Sequence, residues 1–286
     1  MIKDMYKMVI IDLDGTLLND QKEISNEDAY IINRSYREKG TICVIATGRS
    51  YICAKHLADL VGEGLSQYII ASTGSEIRDI KNNLYLNKQC ISNENTIKIL
   101  ECVQKYNFRC NVDISSKVIS NSRLVNQEIL DKIGQKYEIK ENLLEYFTTN
   151  SIDSISFTII GDEENLLKLK KELTAIENIE ITELCKATDM KKSGKEIVTY
   201  IDIMSKGATK KNAIKILANY LNIKKEEIIV IGDGGNDIPM FEVAGLKVAM
   251  SNSLEIVKEK ADYITRSNNE SGVAKAIKKF IFNKDE

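Results

Sequence analysis

The apolar run Met8-Val9-Ile10-Ile11 leads directly into Asp12-Leu13-Asp14-Gly15-Thr16. Four consecutive apolar residues, mostly β-branched and without polar alternation, predict a short strand buried on both faces, as in a parallel sheet. Gly15 and Thr16 turn that strand into a loop. Two carboxylates this close at a strand's carboxyl end repel each other unless a cation sits between them. A core strand has no use for them. The plainer alternative is an Asp-Gly turn that happens to follow a strand.

The pattern recurs. Thr41-Ile42-Cys43-Val44-Ile45-Ala46 predicts a second apolar strand, ending in Thr47-Gly48-Arg49, and Gln67–Ala71 predicts a third. Between them, Ser25 caps a predicted helix from Asn26 to Lys39 that stops at Gly40, and another helix carries His56. A hairpin is expected around Lys81-Asn82-Asn83. From Lys88 the pattern changes to helices at Asn93–Tyr106, Asn126–Lys136 and Glu163–Ile176. They alternate with strands at Phe108–Val112, Lys117–Asn121, Ser154–Ile160, Ile179–Leu184 and Ile197–Ile203, with Lys186 to Lys195 as a loop. After Met204 the βαβ pattern returns: a helix from Lys210 to Leu221, then the strand Glu227–Ile231 ending in Gly232-Asp233-Gly234-Gly235-Asn236-Asp237. Short strands follow at Lys247–Met250 and Tyr263–Thr265. The class is α/β with a parallel sheet. The 286 residues leave room for two domains: a discontinuous α/β core at 1–86 and 204–286, and an inserted α+β module at 87–203.

Three strands far apart in sequence thus end in Asp12/Asp14, Thr47/Gly48 and Asp233/Asn236/Asp237. Open α/β sheets bind ligands beyond the carboxyl ends of their strands, so these tips converge if the strands are neighbours. Carboxylate oxygens suit a hard divalent cation, and Mg²⁺ takes one or two of them with water and phosphate completing its shell. Asp12 and Asp233 are the natural pair, with a backbone oxygen of Asp14. An ionised Asp12 facing a phosphoryl group can act as nucleophile and form an aspartyl-phosphate; Asp14 is placed to protonate the leaving oxygen and then to activate water. The Thr47 hydroxyl, the N–H groups of Leu13 and Gly48 and the Asn236 amide could hold the phosphoryl oxygens. A lysine charge is also needed. Taken singly, Thr47-Gly48-Arg49 reads as a strand-to-helix turn and Gly232–Asp237 as a tight turn or calcium loop; their convergence favours a site.

The formal net charge of −2 argues against a general electrostatic grip on nucleic acid. No apolar run reaches the length of a membrane span, and Met1-Ile2-Lys3-Asp4 lacks a signal peptide's apolar stretch. The expected location is the cytoplasm. The six cysteines form no CxxC pair and read as reduced, packed thiols.

These residues resemble the haloacid dehalogenase superfamily of phosphotransferases. Its DxDGT motif matches Asp12-Leu13-Asp14-Gly15-Thr16, its strand ending in Ser or Thr matches Ala46-Thr47-Gly48-Arg49, and its GDxxND motif matches Gly232 to Asp237. The ATGR form, Met240 after GDGxND and the later Val248-Ala249-Met250 resemble the Cof-type subgroup. That resemblance implies a Rossmann-like core with a type IIB cap inserted between the second and third motifs, Mg²⁺ as cofactor, and a small phosphorylated substrate such as a sugar phosphate. It implies a monomer or homodimer. The third motif is a lysine, with two candidates. Ser205-Lys206-Gly207 fits at first glance, but the subgroup's fuller run is a strand, a short connection and a helix opening. Ile201-Asp202-Ile203 matches the strand and Gly207-Ala208-Thr209-Lys210 the opening, with Thr209 as N-cap. The lysine is then Lys210, with Asp237 as its carboxylate partner, and Lys206 is solvated.

The chain departs from the subgroup at Lys211, where a glycine is usual. Thr73-Gly74-Ser75 replaces NGA, and Ser251-Asn252-Ser253 replaces GNA. His56 reads as structural. Arg49 either contacts substrate or braces its loop. Lys186, Lys191, Lys192 and Lys195 read as a solvated cluster in preference to a phosphate contact. The expected activity is a Mg²⁺-dependent phosphatase working through an aspartyl-phosphate; a sugar phosphomutase and a phospho-ligand sensor without turnover are the alternatives.

Overall fold

A computed structural model of the chain describes residues 6–122, 127–191 and 194–283. Met1-Ile2-Lys3-Asp4, Asn126 and Lys192, named above, lie outside the described residues. Two compact units emerge, one running up to Lys88 and again from Thr209, the other spanning Gln89–Ala208.

The first unit begins with β1 (Met8–Ile11), α1 (Asn26–Lys39), β2 (Ile42–Ala46), α2 (Tyr51–Val61), β3 (Tyr68–Ala71), β4 (Glu76–Asp79) and β5 (Leu84–Lys88). Helix α1 starts where the Ser25 hydroxyl accepts the Asp28 N–H, and ends at Gly40 with φ 69°. Strand β1 is buried along its whole length because both of its faces are covered. Met8 and Ile10 face one side of the sheet, while period two sends Val9 and Ile11 to the other.

The second unit contains α3 (Asn93–Tyr106), β6 (Arg109–Asp113), β7 (Val118–Ser120), α4 (Gln127–Lys132), β8 (Tyr137–Ile139), α5 (Leu143–Asn150), β9 (Ser156–Gly161), α6 (Glu163–Leu173), β10 (Ile179–Ile181), β11 (Cys185–Lys191) and β12 (Gly194–Ser205). Its sheet runs β10-β12-β9-β6-β7-β8, with β11 also on β12. The long β12 pairs with β11 along its first half and with β10 at its end. The stretch expected as a loop from Lys186 to Lys195 is therefore mostly paired strand: the β12 ladder satisfies its backbone although its side chains show no apolar alternation. The expected helix at 126–136 is shorter, and β8 and α5 are additional elements. Leu100 of α3, Phe147 of α5 and Leu169 of α6 cover one face of the sheet, against Val112, Phe157 and Ile201.

On the opposite face Asn111, Thr158 and Asp202 stand in one cross-strand row. Thr158 Oγ1 donates to Asp202 Oδ1 at 2.7 Å. Burial pushes the Asp202 carboxyl up to about 6, against the opposing pull of the Thr158 hydrogen bond. Folding favours the neutral acid here. The Asp202 contribution to stability is thus present below the ordinary aspartate range and lost as pH rises through 6. Asp202→Asn is expected to stabilise the chain at pH 7 by about 1 kcal/mol, after discounting for partial exposure, and to do little at pH 4. Urea titrations at the two pH values measure this; a variant less stable than the parent at pH 7 contradicts it.

The chain then returns to the first unit with α7 (Lys210–Tyr220), β13 (Ile228–Gly232), α8 (Ile238–Phe241), β14 (Leu246–Ala249), α9 (Glu255–Lys258), β15 (Tyr263–Ile264) and α10 (Gly272–Phe282). The completed sheet has the order β15-β14-β13-β1-β2-β3-β4-β5, parallel from β15 to β3 and antiparallel through the β4–β5 hairpin. From β1 the chain steps outward to β2 and β3; on its return, β13, β14 and β15 step outward on the other side. Strand β1 is therefore the switch point, where an open α/β sheet forms its binding crevice. Ile214 and Leu217 of α7 belong to the apolar layer over Met8 and Ile10.

Candidate active site

Asp12 and Asp233 follow adjacent strands, because β1 and β13 pair with Ile11 opposite Ile231. The Asp12 N–H continues that ladder to the Ile231 carbonyl at 3.1 Å. Across them lies the first turn of α7. Thr209 caps it by accepting the Asn212 N–H at 3.1 Å, which sets Lys210 at the helix start with only 2% of its surface exposed. Lys210 Nζ donates to Asp12 Oδ1 at 2.6 Å and to Asp237 Oδ1 at 2.7 Å. Asp237 Oδ2 accepts the N–H groups of Asp233 and Gly234 at 3.1 and 3.0 Å, so Asp237 is engaged on both oxygens. Thr16 Oγ1 donates to Asp233 Oδ1 at 2.7 Å. Gly15 is in the left-handed region (φ +78°), and a Cβ there would fall 2.3 Å from Asp233 Oδ2, so only glycine lets the loop close on this carboxylate.

Among the described residues, Asp12 Oδ2 and Asp233 Oδ2 accept no hydrogen bond, and carboxylate oxygens of Asp12, Asp233 and Asp237 lie within 4.8 Å of one another. Three carboxylates crowd together here, and two of them share the Lys210 ammonium. Burial and then the Asp237 charge push the Asp12 carboxyl well above the usual range, against the pull of Lys210. Burial also lifts Asp233, to about 6. Burial alone would lower Lys210, but Asp12 and Asp237 outweigh it and hold the ammonium firmly charged. Two uncommitted, hard oxygen donors beside an excess of negative charge fit a divalent cation.

Asp14 points elsewhere. Its carboxylate sits in the Arg49 fork, with Nε and Nη2 both at 2.6 Å, and receives Lys22 Nζ at 2.8 Å. Burial would raise this acid, yet Arg49 and Lys22 outweigh it and hold it well below the ordinary range. Arg49 thus braces Asp14. The loop amides of Thr16, Leu17 and Leu18 turn back onto the carbonyls of Leu13 and Asp12, leaving the Asp14 carbonyl outside that turn. Leu13 has a fully buried side chain. Thr47 is buried at the end of β2, its hydroxyl accepting the Arg49 N–H at 3.1 Å, and Gly48 is exposed beside it. Asn236 is exposed, with its amide oxygen folded against Gly234.

Lys206 is exposed, and its backbone N–H bonds to Asn178. His56 lies half-buried on α2. Lys186 is exposed, 3.6 Å from Glu163. Sequence reasoning passed over Thr16, Lys22 and Asn252, whose Nδ2 donates to the Gly15 carbonyl at 2.8 Å. The threonine of DxDGT was a readable signal; Lys22 carried none.

A family profile of haloacid dehalogenase-like hydrolases matches residues 9–277. The chain belongs to this family. A Bacillus subtilis relative, 5-amino-6-(5-phospho-D-ribitylamino)uracil phosphatase YcsE, is 31% identical over 276 residues, covering 96% of both chains. A solved haloacid dehalogenase-like hydrolase from Bacteroides thetaiotaomicron superposes with a TM-score of 0.80 at 27% identity, covering 96% of this chain and 99% of that one. The subclass IIB sugar phosphatase BT4131 superposes with a TM-score of 0.76 at 25% identity, covering 96% and 98%. Within the haloacid dehalogenase-like hydrolases this chain is thus of the Cof type, an enzyme of the phosphatase class. Among the described residues, no helix is long and apolar enough to cross a membrane.

Proposed function

We propose that this chain is a Mg²⁺-dependent phosphatase of small phosphorylated metabolites that works through an aspartyl-phosphate. One observation carries the reading: a buried lysine clamps Asp12 and Asp237 at the sheet's switch point while Asp12 and Asp233 each keep one oxygen uncommitted. An Asp12 oxygen attacks phosphorus, and the bond from phosphorus to the ester oxygen breaks. Asp14 gives a proton to that leaving oxygen. Asp14 then takes a proton from water, which attacks the acyl phosphate, releases inorganic phosphate and restores Asp12. As held by Arg49 and Lys22, Asp14 is ionised, the form required for the second step; for the first step it must take up a proton from solvent before the ester bond breaks.

Lys210 pulls Asp12 towards its ionised form against burial and the Asp237 charge, and it faces the transferring group with positive charge. The Thr47 hydroxyl, the N–H groups of Leu13 and Gly48 and the Asn236 amide are assigned to the phosphoryl oxygens. Asp12 and Asp233, with the Asp14 carbonyl, would hold Mg²⁺, which when bound supplies Lewis-acid polarisation of a phosphoryl oxygen. The inserted unit is assigned the choice of leaving group, on its likeness to the subclass IIB phosphatases. The names of YcsE and BT4131 favour hydroxyl-rich phosphate esters.

The test is phosphate release across a panel of phosphorylated metabolites with Mg²⁺, with and without EDTA. Release that EDTA suppresses is the expected result; equal release in EDTA overturns the metal assignment, and no release from any ester overturns the activity. Metal binding is measurable without turnover. Mg²⁺ at a hundred times its Kd is expected to stabilise the folded chain by about 2.7 kcal/mol. Asp233→Asn is expected to lose that response in a thermal melt, without losing stability in the absence of metal, because it removes a carboxylate from a crowded cluster. A variant that still responds fully rules out Asp233 as a ligand.

A further inference from the structure

We propose that Thr73 is a specificity-determining residue whose hydroxyl contacts the leaving group of a hydroxyl-bearing phosphate ester. The inference rests on the phosphatase reading above and extends it to the position where the subgroup usually carries the asparagine of NGA.

The chain leaves β3 through Ser72, Thr73 and Gly74, all in the left-handed region, with φ of 48°, 59° and 104°. Among the described non-glycine residues at positive φ, Thr73 is the only one with a β-branched side chain; the others are asparagines, serines and a lysine. Asparagine and glycine adopt this conformation readily, whereas a branched Cβ crowds the backbone there. Strain of this kind persists only where the surroundings over-determine it, and it marks sites under functional constraint.

The surroundings do over-determine it. The Ser72 N–H donates to the Arg49 carbonyl at 2.8 Å, and the Thr73 N–H donates to the Thr47 carbonyl at 3.0 Å. On its other side the loop lies against the start of α7: a Cβ on Gly74 would fall 2.4 Å from the Thr209 carbonyl oxygen. The loop is thus pinned between the motif turn after β2 and the helix start that presents Lys210. These contacts all involve backbone, so a glycine or asparagine at position 73 would satisfy them with less strain. The threonine side chain must serve another purpose.

Its hydroxyl is placed for one. Thr73 Oγ1 lies 3.6 Å from the point that a Cβ on Gly48 would occupy, and Gly48 is exposed. Among the described residues the Thr73 hydroxyl neither donates nor accepts a hydrogen bond. Strand β3 is two strands from β1, about 10 Å away at ordinary strand spacing. The loop after β3 thus flanks the site, and the Thr73 hydroxyl, beside the Gly48 assigned above to a phosphoryl oxygen, is within reach of a hydroxyl group on the leaving group. A neutral hydroxyl both donates and accepts, which matches an alcohol better than an anion.

The experiment compares kcat/KM for the best hydroxyl-bearing substrate of the panel with that for 4-nitrophenyl phosphate, whose leaving group has no second hydroxyl. Thr73→Val keeps the branched shape and its strain but loses the hydroxyl; Thr73→Ser keeps the hydroxyl. Valine is expected to lower the ratio of the two kcat/KM values about tenfold, chiefly through KM, and serine less than about twofold. Thr73→Gly is expected to lower the ratio like valine, with a Tm no lower than that of the parent. Val and Ser variants with the same ratio overturn the proposal, as does a Thr73→Gly variant that loses Tm and both activities in parallel. A wild-type chain that turns over only the aryl ester also overturns it. If wild type releases phosphate from neither compound, the phosphatase reading itself has failed.

Discussion

Asp12→Asn is expected to lower phosphate release by about 10⁴-fold or more while leaving Tm unchanged or raised. The two effects have separate causes. An amide cannot form the acyl phosphate, so the covalent route closes. Stability holds because Asp12 is one of two buried carboxylates sharing Lys210, and burial beside Asp237 already favours its uncharged form. Asparagine supplies that neutral shape permanently, and the Lys210–Asp237 pair remains. Phosphate release on the best panel substrate, with a thermal melt on the same sample, checks both halves. Retention of a tenth of the activity would sink the nucleophile assignment.

The second large effect is expected at Lys210. Lys210→Ala strands two buried carboxylates with no cation, a loss of about 3–5 kcal/mol, and it removes the positive charge facing the transferring group. Activity and Tm should fall together. The damage should shrink on acidification, since Asp12 escapes it by taking up a proton. Lys206→Ala, on an exposed side chain, is expected to stay within about 0.5 kcal/mol and to keep its turnover. Denaturant titration and phosphate release on both variants decide the matter; a mild Lys210 variant beside a crippled Lys206 variant would overturn the assignment.

Much of the core sheet was readable because its strands are short, apolar and buried on both faces, with chemistry only at their ends. Lys210 was chosen over Lys206 because the stretch from Ile201 resembles the subgroup's strand, connection and helix opening, a register that makes Thr209 the cap. Other features were hidden. Strand β11 has few apolar side chains and owes its conformation to pairing along β12. Helix α5, Leu143–Asn150, is too short for its periodicity to stand out. The residues around Arg49 give no sign that the loop after β1 brings Asp14 into its fork. Nothing local marks Lys22 as the second cation on that carboxylate, or Thr73 as a threonine held at positive φ.

The sequence by itself determined which chemical groups stand at the ends of β1, β2 and β13, since a buried parallel strand can place polar residues only beyond its ends. The tertiary structure alone decided which charges are partners. Lys210 meets Asp12 across 198 positions of chain, whereas Asp14, two residues from Asp12, is held by Arg49 and Lys22. Charge pairing depends on distances between groups that strand order brings together, and the local sequence contains no measure of those distances.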